Sequence, residues 1–310
     1  MLSKNDKRSF FKMRKVKVIT DSCSDLSAEL LKKYDLDYAK MSTVLDGEAT
    51  PALLEWTPDE VHAFYSLMRE GKRITTSQVT AEEFYRIFPI YLDKGCDIVY
   101  VGCSLKQSGS VNTGHMVADK LLEKYPDAKI FCIDSQNSSI GEGILAIEAA
   151  KLAAEGLSAE EIAEHIISVR KTVNEYVTVH TLDFLRRAGR VTATSAFFGN
   201  LIGVKPIIIA DAVGAQTAVK KVKGRQNSIS EIVNMLAESI VDPENQTVYV
   251  VHADCSEEEV RLLVDTVKEK IPCKDVSVGY IGPIVGASIG PDAVGVFAFG
   301  SKVTYAGAEK

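Results

Sequence analysis

Residues 97–135 read DIVYVGCSLKQSGSVNTGHMVADKLLEKYPDAKIFCIDS. The segment DIVYVGCS (97–104) opens on an unbroken apolar run of strand length, and KIFCIDS (129–135) holds another. Strands that stay apolar without alternation belong to sheets covered on both faces. The stretch 111–125 between them reads as a helix. Strand, helix, strand in that order predicts a parallel sheet with right-handed crossovers.

Upstream the same alternation continues. Residues 16–20 form a short apolar run ending in the polar TDSCSDLS, and 29–36 look helical. Thr57-Pro58-Asp59-Glu60 is a capping box with proline at the first helical position, followed by Val61, Phe64, Tyr65 and Met68 at helical spacing, and Gly71 closes that helix. Thr80-Ala81-Glu82-Glu83 repeats the signal, with Phe84, Ile87, Phe88, Tyr91 and Leu92 on one face.

Downstream the pattern changes. Ser158-Ala159-Glu160-Glu161 caps a helix running to about residue 173. Then YVTVHTL (176–182), KPIIIAD (205–211), AQTAVKKVK (215–223), QTVYVVHAD (246–254) and DVSVGYIG (275–282) read as strands, two of them joined by a turn at 211–214. Ser256-Glu257-Glu258-Glu259 caps one more helix, and PDAVGVF (291–297) looks helix-like. The expected fold class is α/β with two domains. Residues 1–15 are a basic N-terminal extension without a signal-peptide core, 16–170 a parallel-sheet α/β domain, and 171–310 an α+β domain with a largely antiparallel sheet.

Composition narrows function by exclusion. The 310 residues are 46% hydrophobic and 25% charged, ordinary globular usage, with a net charge of -6 that argues against a nucleic-acid surface. No stretch approaches the roughly 18 apolar residues of a spanning helix. Six cysteines (23, 96, 103, 132, 255 and 273) show neither C-x-x-C nor zinc spacing, so a reduced, cytoplasmic protein without metal or cofactor is expected.

Two motifs invite stronger readings. Gly141-x-Gly143-x-x-Ala146 matches a dinucleotide fingerprint, but five residues separate it from the preceding strand and no strand-ending acid follows about 20 residues on. A glycine-tolerant turn entering a helix fits it better. Gly286-Ala287-Ser288-Ile289-Gly290 matches the hydrolase nucleophile elbow, whose chain order is serine, acid, histidine. The last histidine, His252, lies upstream, so an acyl hydrolase using Ser288 with His252 or His180 is the alternative reading.

Three hydroxyl-rich loops draw more interest: Asp21-Ser22, Thr75-Thr76-Ser77-Gln78, and SLKQSGS from Ser104 to Ser110. Loops at the carboxyl ends of parallel strands line the ligand crevice, and a helix N-terminus there suits an anion. Plain N-capping explains the same residues without a ligand.

Together these segments resemble the DegV family of fatty-acid-binding proteins. The resemblance runs from about residue 16 to the C-terminus. It rests on Thr20-Asp21-Ser22-Cys23-Ser24-Asp25-Leu26, Thr76-Ser77-Gln78, a looser match at Ser104 to Ser110, and Asp134-Ser135 with Ser139, Gly141 and Gly143. Thr181-Leu182 with Leu185 and Gly189-Arg190, Lys205-Pro206 and the closing GPIVGASIGP complete the set. The resemblance implies a bacterial, non-catalytic, cytoplasmic carrier that holds a long-chain fatty acid (about C14–C18) between its domains and presents the carboxylate to a fatty acid kinase. It implies head-group contacts at Thr76, Ser77, Ser108 and the Gly109 N–H, with Arg190 near the head group or the kinase contact and Asp21 among the ligand-binding residues.

One departure stands out. The family's closing motif usually carries a histidine that helps hold the carboxylate. This chain has Ser288 there, and Asp292 replaces a glycine. Serine donates a hydrogen bond but carries no charge, so binding is expected to survive while hand-off to a kinase is placed in question.

Overall fold

The computed structural model describes residues 14–192 and 203–307. The expected N-terminal extension lies outside the described residues except for Arg14 and Lys15; Arg14 already belongs to the fold, its Nε pairing with Asp97 at 2.8 Å.

In chain order the first half runs β1 (Val16–Asp21), α1 (Ala28–Lys33), β2 (Asp37–Ala39), β3 (Ser42–Leu45), β4 (Glu48–Pro51), α2 (Pro58–Arg69), β5 (Ile74–Ser77), α3 (Ala81–Leu92), β6 (Asp97–Gly102), α4 (Ser110–Lys124), β7 (Ile130–Asp134), α5 (Ile140–Ala154) and α6 (Ala159–Val169). Strands β2-β1-β6-β7 form an all-parallel sheet. Every residue of β6 is buried. Phe84, Phe88, Val111 and Leu121 of α3 and α4 join Ile98 and Tyr100 in one core, while Ile144, Ile147, Ile162 and Ile166 of α5 and α6 join Val99 and Val101 in another. Successive β6 side chains thus feed opposite layers. The Thr57–Glu60 capping box forms as read, and Ser158 caps its helix in a full box with Glu161; Thr80 accepts the Glu83 N–H, but the Glu83 carboxylate turns to Arg86 and the Lys40 N–H, so that box does not close.

The second half runs β8 (Val173–Thr178), α7 (Asp183–Ala188), β9 (Val191–Thr192), β10 (Val204–Ala210), β11 (Gln216–Lys223), α8 (Arg225–Ser239), β12 (Thr247–His252), α9 (Glu257–Lys270), β13 (Asp275–Tyr280), α10 (Pro283–Ile289) and β14 (Val294–Phe299). The sheet order is β13-β12-β14-β8-β10-β11-β9. It is largely antiparallel; only β12 with β13 and β11 with β9 run parallel. The chain is therefore mixed α/β, with a parallel sheet followed by a largely antiparallel one.

Three local readings change. Residues 294–299 are not helical but the central strand β14, paired antiparallel on both sides. A short apolar run buried on both faces has no periodicity to separate strand from helix. Residues 75–77, read as loop, sit in β5, which pairs with β3 in a separate three-stranded sheet. Gly141 and Gly143 lie inside α5 rather than in a turn before it. A Cβ on Gly143 would stand 2.7 Å from the Ser24 carbonyl oxygen, so glycine there lets α5 press against the loop after β1.

Candidate functional site

Pleating decides what the seven-stranded sheet offers inward. Glu175 and Val177 of β8, two apart, share a face with Ile208 of β10, Val251 of β12 and Phe297 of β14. That face walls a cavity of about 620 Å³, within the usual range of small-molecule pockets. Ile284, Val285 and Ile289 of α10 and Met41 before β3 supply further apolar surface.

A polar group of residues belongs to the same cavity. Thr76 and Ser77 come from β5, Ser108 and Gly109 from the N-terminus of α4, Arg190 from just after α7, and Ser288 from the last turn of α10. Helix α4 has fifteen residues, Gly109 as its N-cap, no acid in its first turn and no side-chain cap. Its positive end therefore meets the cavity unneutralised. The Ser108 hydroxyl lies 2.9 Å from that of Ser110 and accepts the Ser110 N–H at 3.2 Å. A Cβ at position 109 would displace the end of the Gln78 side chain, whose Nε2 donates to Thr113 Oγ1 at 2.8 Å. The Arg190 guanidinium donates to the carbonyls of Ala188 and Gln107 and meets no carboxylate among the described residues. Thr76, Arg190 and Ser288 also border a smaller cavity of about 150 Å³, to which Lys72, Arg73 and Arg187 contribute. In a chain of net charge -6 this end is locally cationic.

A family model described as "Uncharacterised protein, DegV family COG1307" matches residues 15–301. The chain belongs to the DegV family. It is 34% identical over 290 residues to the DegV domain-containing protein CPE0026 of Clostridium perfringens, covering 93% of this chain and 98% of the relative. Among solved structures it resembles a fatty-acid-binding DegV family protein from Thermus thermophilus, with 26% identity, a TM-score of 0.81, and 93% and 100% of the two chains covered. It also resembles a stearic-acid-binding protein from Eubacterium ventriosum, with 26% identity, a TM-score of 0.78, and coverage of 91% and 98%.

Of the residues singled out in the sequence of this DegV family member, Thr76, Ser77, Ser108, Gly109, Arg190 and Ser288 all line the large cavity. Asp21 is a correction: it is fully buried behind the wall. Its Oδ2 accepts the Tyr100 hydroxyl at 2.6 Å and the Cys103 N–H at 3.1 Å, and its Oδ1 the Cys23 N–H at 2.9 Å. Those bonds lock the chain end of β1 to the end of β6, which is structural work. Asp292 also stays off the cavity lining, its Oδ1 held by Arg69 Nη2 at 2.7 Å.

The elbow geometry is absent at Ser288, which sits late in a helix rather than in the turn between strand and helix. Among the described residues neither histidine hydrogen-bonds Ser288. His252 lies tilted against Tyr280 with ring centroids 4.8 Å apart and borders a different cavity, and burial lowers its pKa. His180 lies beside Lys205, its Nδ1 3.3 Å from Nζ.

Two features escaped the sequence. Cys23 and Cys103 line the cavity with their sulfurs 3.4 Å apart, and Glu142 brings a third ligand-type atom within 4.8 Å of both. Their spacing of 80 and 39 positions carries no motif, and burial raises the pKa of the Glu142 carboxyl, as the facing thiol and burial raise that of Cys23. The second is Glu175, a buried carboxyl that shares the sheet face with Val177, Ile208, Val251 and Phe297 and accepts the side-chain amide of Gln216 of β11. Its place in NEYVTV gives an ordinary alternating strand, so no local signal marks it.

Proposed function

We propose that this chain binds a long-chain fatty acid (about C14–C18), the alkyl chain against the inner sheet face and α10 and the carboxylate at the Thr76, Ser108 and Gly109 corner. The observation that carries the reading is one cavity combining an apolar sheet wall with hydroxyls gathered at an uncapped helix N-terminus. With the chain divided near residue 170, the ligand lies between its two parts. The relatives described as fatty-acid-binding support the ligand class.

Magnitudes are adequate. Burying about 14 methylenes yields roughly 11 kcal/mol gross, and association with chain ordering removes several kcal/mol of it. Submicromolar binding follows without a buried cation. Thr76, Ser77, Ser108 and Ser288 offer neutral hydroxyls, the Gly109 N–H adds a donor, and Arg190 adds an exposed charge to hold and steer the head group.

In this reading the protein is a carrier that presents the carboxylate to a partner kinase at the cationic end formed by Lys72, Arg73, Arg187 and Arg190. Solvent extraction and mass spectrometry of the purified protein test the ligand: a stoichiometric fatty acid is expected. A protein that arrives empty and takes up neither palmitate nor oleate refutes the carrier. Esterase activity toward p-nitrophenyl esters that disappears in Ser288→Ala would favour the hydrolase instead.

A further inference from the structure

Strands β1 and β6 lie side by side and parallel, so the segments that leave their carboxyl ends emerge together. Cys23 stands in the first of those segments and Cys103 directly after β6. Both line the cavity, with their sulfurs 3.4 Å apart. Glu142, in the first turn of α5, brings a carboxylate oxygen within 4.8 Å of both sulfurs. Two buried thiols alone are ordinary apolar packing. A carboxyl with no exposed surface beside them is not. Its Oε1 accepts the Thr20 hydroxyl at 2.7 Å and, more distantly, the Asp21 N–H at 3.4 Å. Its Oε2 is buried and accepts no hydrogen bond.

A second buried carboxyl braces the group. Asp21 accepts the Cys23 N–H on one oxygen, and the Cys103 N–H with the Tyr100 hydroxyl on the other. The donors to both carboxyls are thus hydroxyls and backbone amides, and none of them brings a positive charge. Burial accordingly raises the pKa of the Glu142 carboxyl.

We propose that Cys23, Cys103 and Glu142 form a binding site for a zinc(II) ion, reached from the cavity. Three atoms so spaced have a point among them within about 2.6 Å of each, near the zinc distances of about 2.3 Å to sulfur and about 2.0–2.2 Å to carboxylate oxygen. Small side-chain shifts close the remainder. The donor set selects the ion. Two sulfurs favour a thiophilic cation over magnesium or calcium, and the carboxylate favours zinc over copper(I). Thr20 and Asp21 hold the ligands in orientation from behind, as outer partners do at metal centres. Three protein ligands leave a fourth position for water. On binding, the thiols and the carboxyl release their protons to solvent, and the cation stabilises the anions that result. The inference does not depend on the fatty-acid reading, and either can fail alone.

The test takes the whole protein with its thiols reduced, strips metal with a chelator, and titrates zinc chloride by calorimetry. One equivalent should bind, and X-ray absorption of the zinc-loaded native protein should show two sulfurs with lighter atoms completing the shell. Zinc should also raise the unfolding midpoint of the native protein. Cys23→Ser/Cys103→Ser, its folding checked by circular dichroism, should lose the site and the shift in midpoint. Glu142→Gln should bind zinc at least about tenfold more weakly. Cys96, Cys132, Cys255 and Cys273 remain in the double variant, so a sulfur site elsewhere would show itself there. Absence of zinc binding, a shell without sulfur, or a sulfur-bound equivalent retained in the double variant overturns the inference. So does unchanged affinity in Glu142→Gln. Palmitate uptake by the metal-free protein reports on the carrier reading separately.

Discussion

Asp25 Oδ1 accepts the backbone N–H of Gly282 at 2.9 Å, across 257 positions of sequence. Its other oxygen takes the hydroxyl of Ser139, the residue that precedes α5. One buried carboxyl therefore ties the loop after β1 to the start of α5 and to the N-cap of α10, the helix that carries Ile284, Val285 and Ser288 into the cavity. Gly282 has no room for a side chain, since a Cβ would stand 2.7 Å from Asp25 Oδ1.

Desolvation pushes the Asp25 carboxyl from 3.8 up to about 7, although both hydrogen bonds favour its ionised form. Below pH 3.8 folded and unfolded states are both protonated. Between 3.8 and about 7 the folded state keeps a proton the unfolded chain has lost, so this group's contribution to stability falls as pH rises and levels off above 7. In Asp25→Asn the amide oxygen still accepts from Gly282, and the side chain does not titrate. The stability of the native protein minus that of Asp25→Asn should therefore fall with pH across this window, by at most about 1.4 kcal/mol per pH unit. Urea titrations at several pH values check it; a constant difference would contradict the shifted carboxyl.

The double variant Thr76→Ala/Ser108→Ala removes two neutral hydroxyl donors from the head-group corner and should weaken palmitate binding by about tenfold or more. Isothermal titration measures it. Unchanged affinity would remove the proposed head-group site.

Arg190 is exposed and unpaired with any carboxylate among the described residues. Arg190→Ala should lower fatty-acid affinity by a few-fold at low salt, and the difference should shrink as ionic strength rises, because exposed charges are screened. Binding measured at two salt concentrations decides the matter.

Gly143→Ala places a methyl against backbone rather than against a yielding side chain. Overpacking of this kind should destabilise the fold by about 1–3 kcal/mol. A lowered unfolding midpoint in chemical denaturation is the expected readout.

Arg69 of α2 pairs with Asp254 at 2.6 Å and with Asp292 at 2.7 Å, bridging the loops that follow β12 and precede β14. Its side chain is about one-third exposed, so Arg69→Ala should cost only about 1 kcal/mol, and less in high salt. The variant also frees the Asp292 charge beside α10, and weaker fatty-acid binding at low salt would report it.

The order of strands and helices in the first half was legible because Phe84, Ile87 and Phe88 repeat at helical spacing and β6 is apolar without alternation. Period is a local property, and local chain geometry obeys it. The residues proposed for the head group could be singled out because TSQ and SLKQSGS are contiguous and family-like, and Thr76, Ser77, Ser108 and Gly109 line one cavity. What the sequence determined by itself was this set of elements, their caps, and the family. The tertiary structure decided whatever depends on which faces meet. It made VGVFAF a central strand, since burial on both faces erases its period. It turned Asp21 away from the cavity, and it joined Asp25 to Gly282, Cys23 to Cys103 and Glu175 to Gln216. None of those pairs leaves a mark on the chain, because hydrogen bonding and burial act through space, and sequence separation does not enter them.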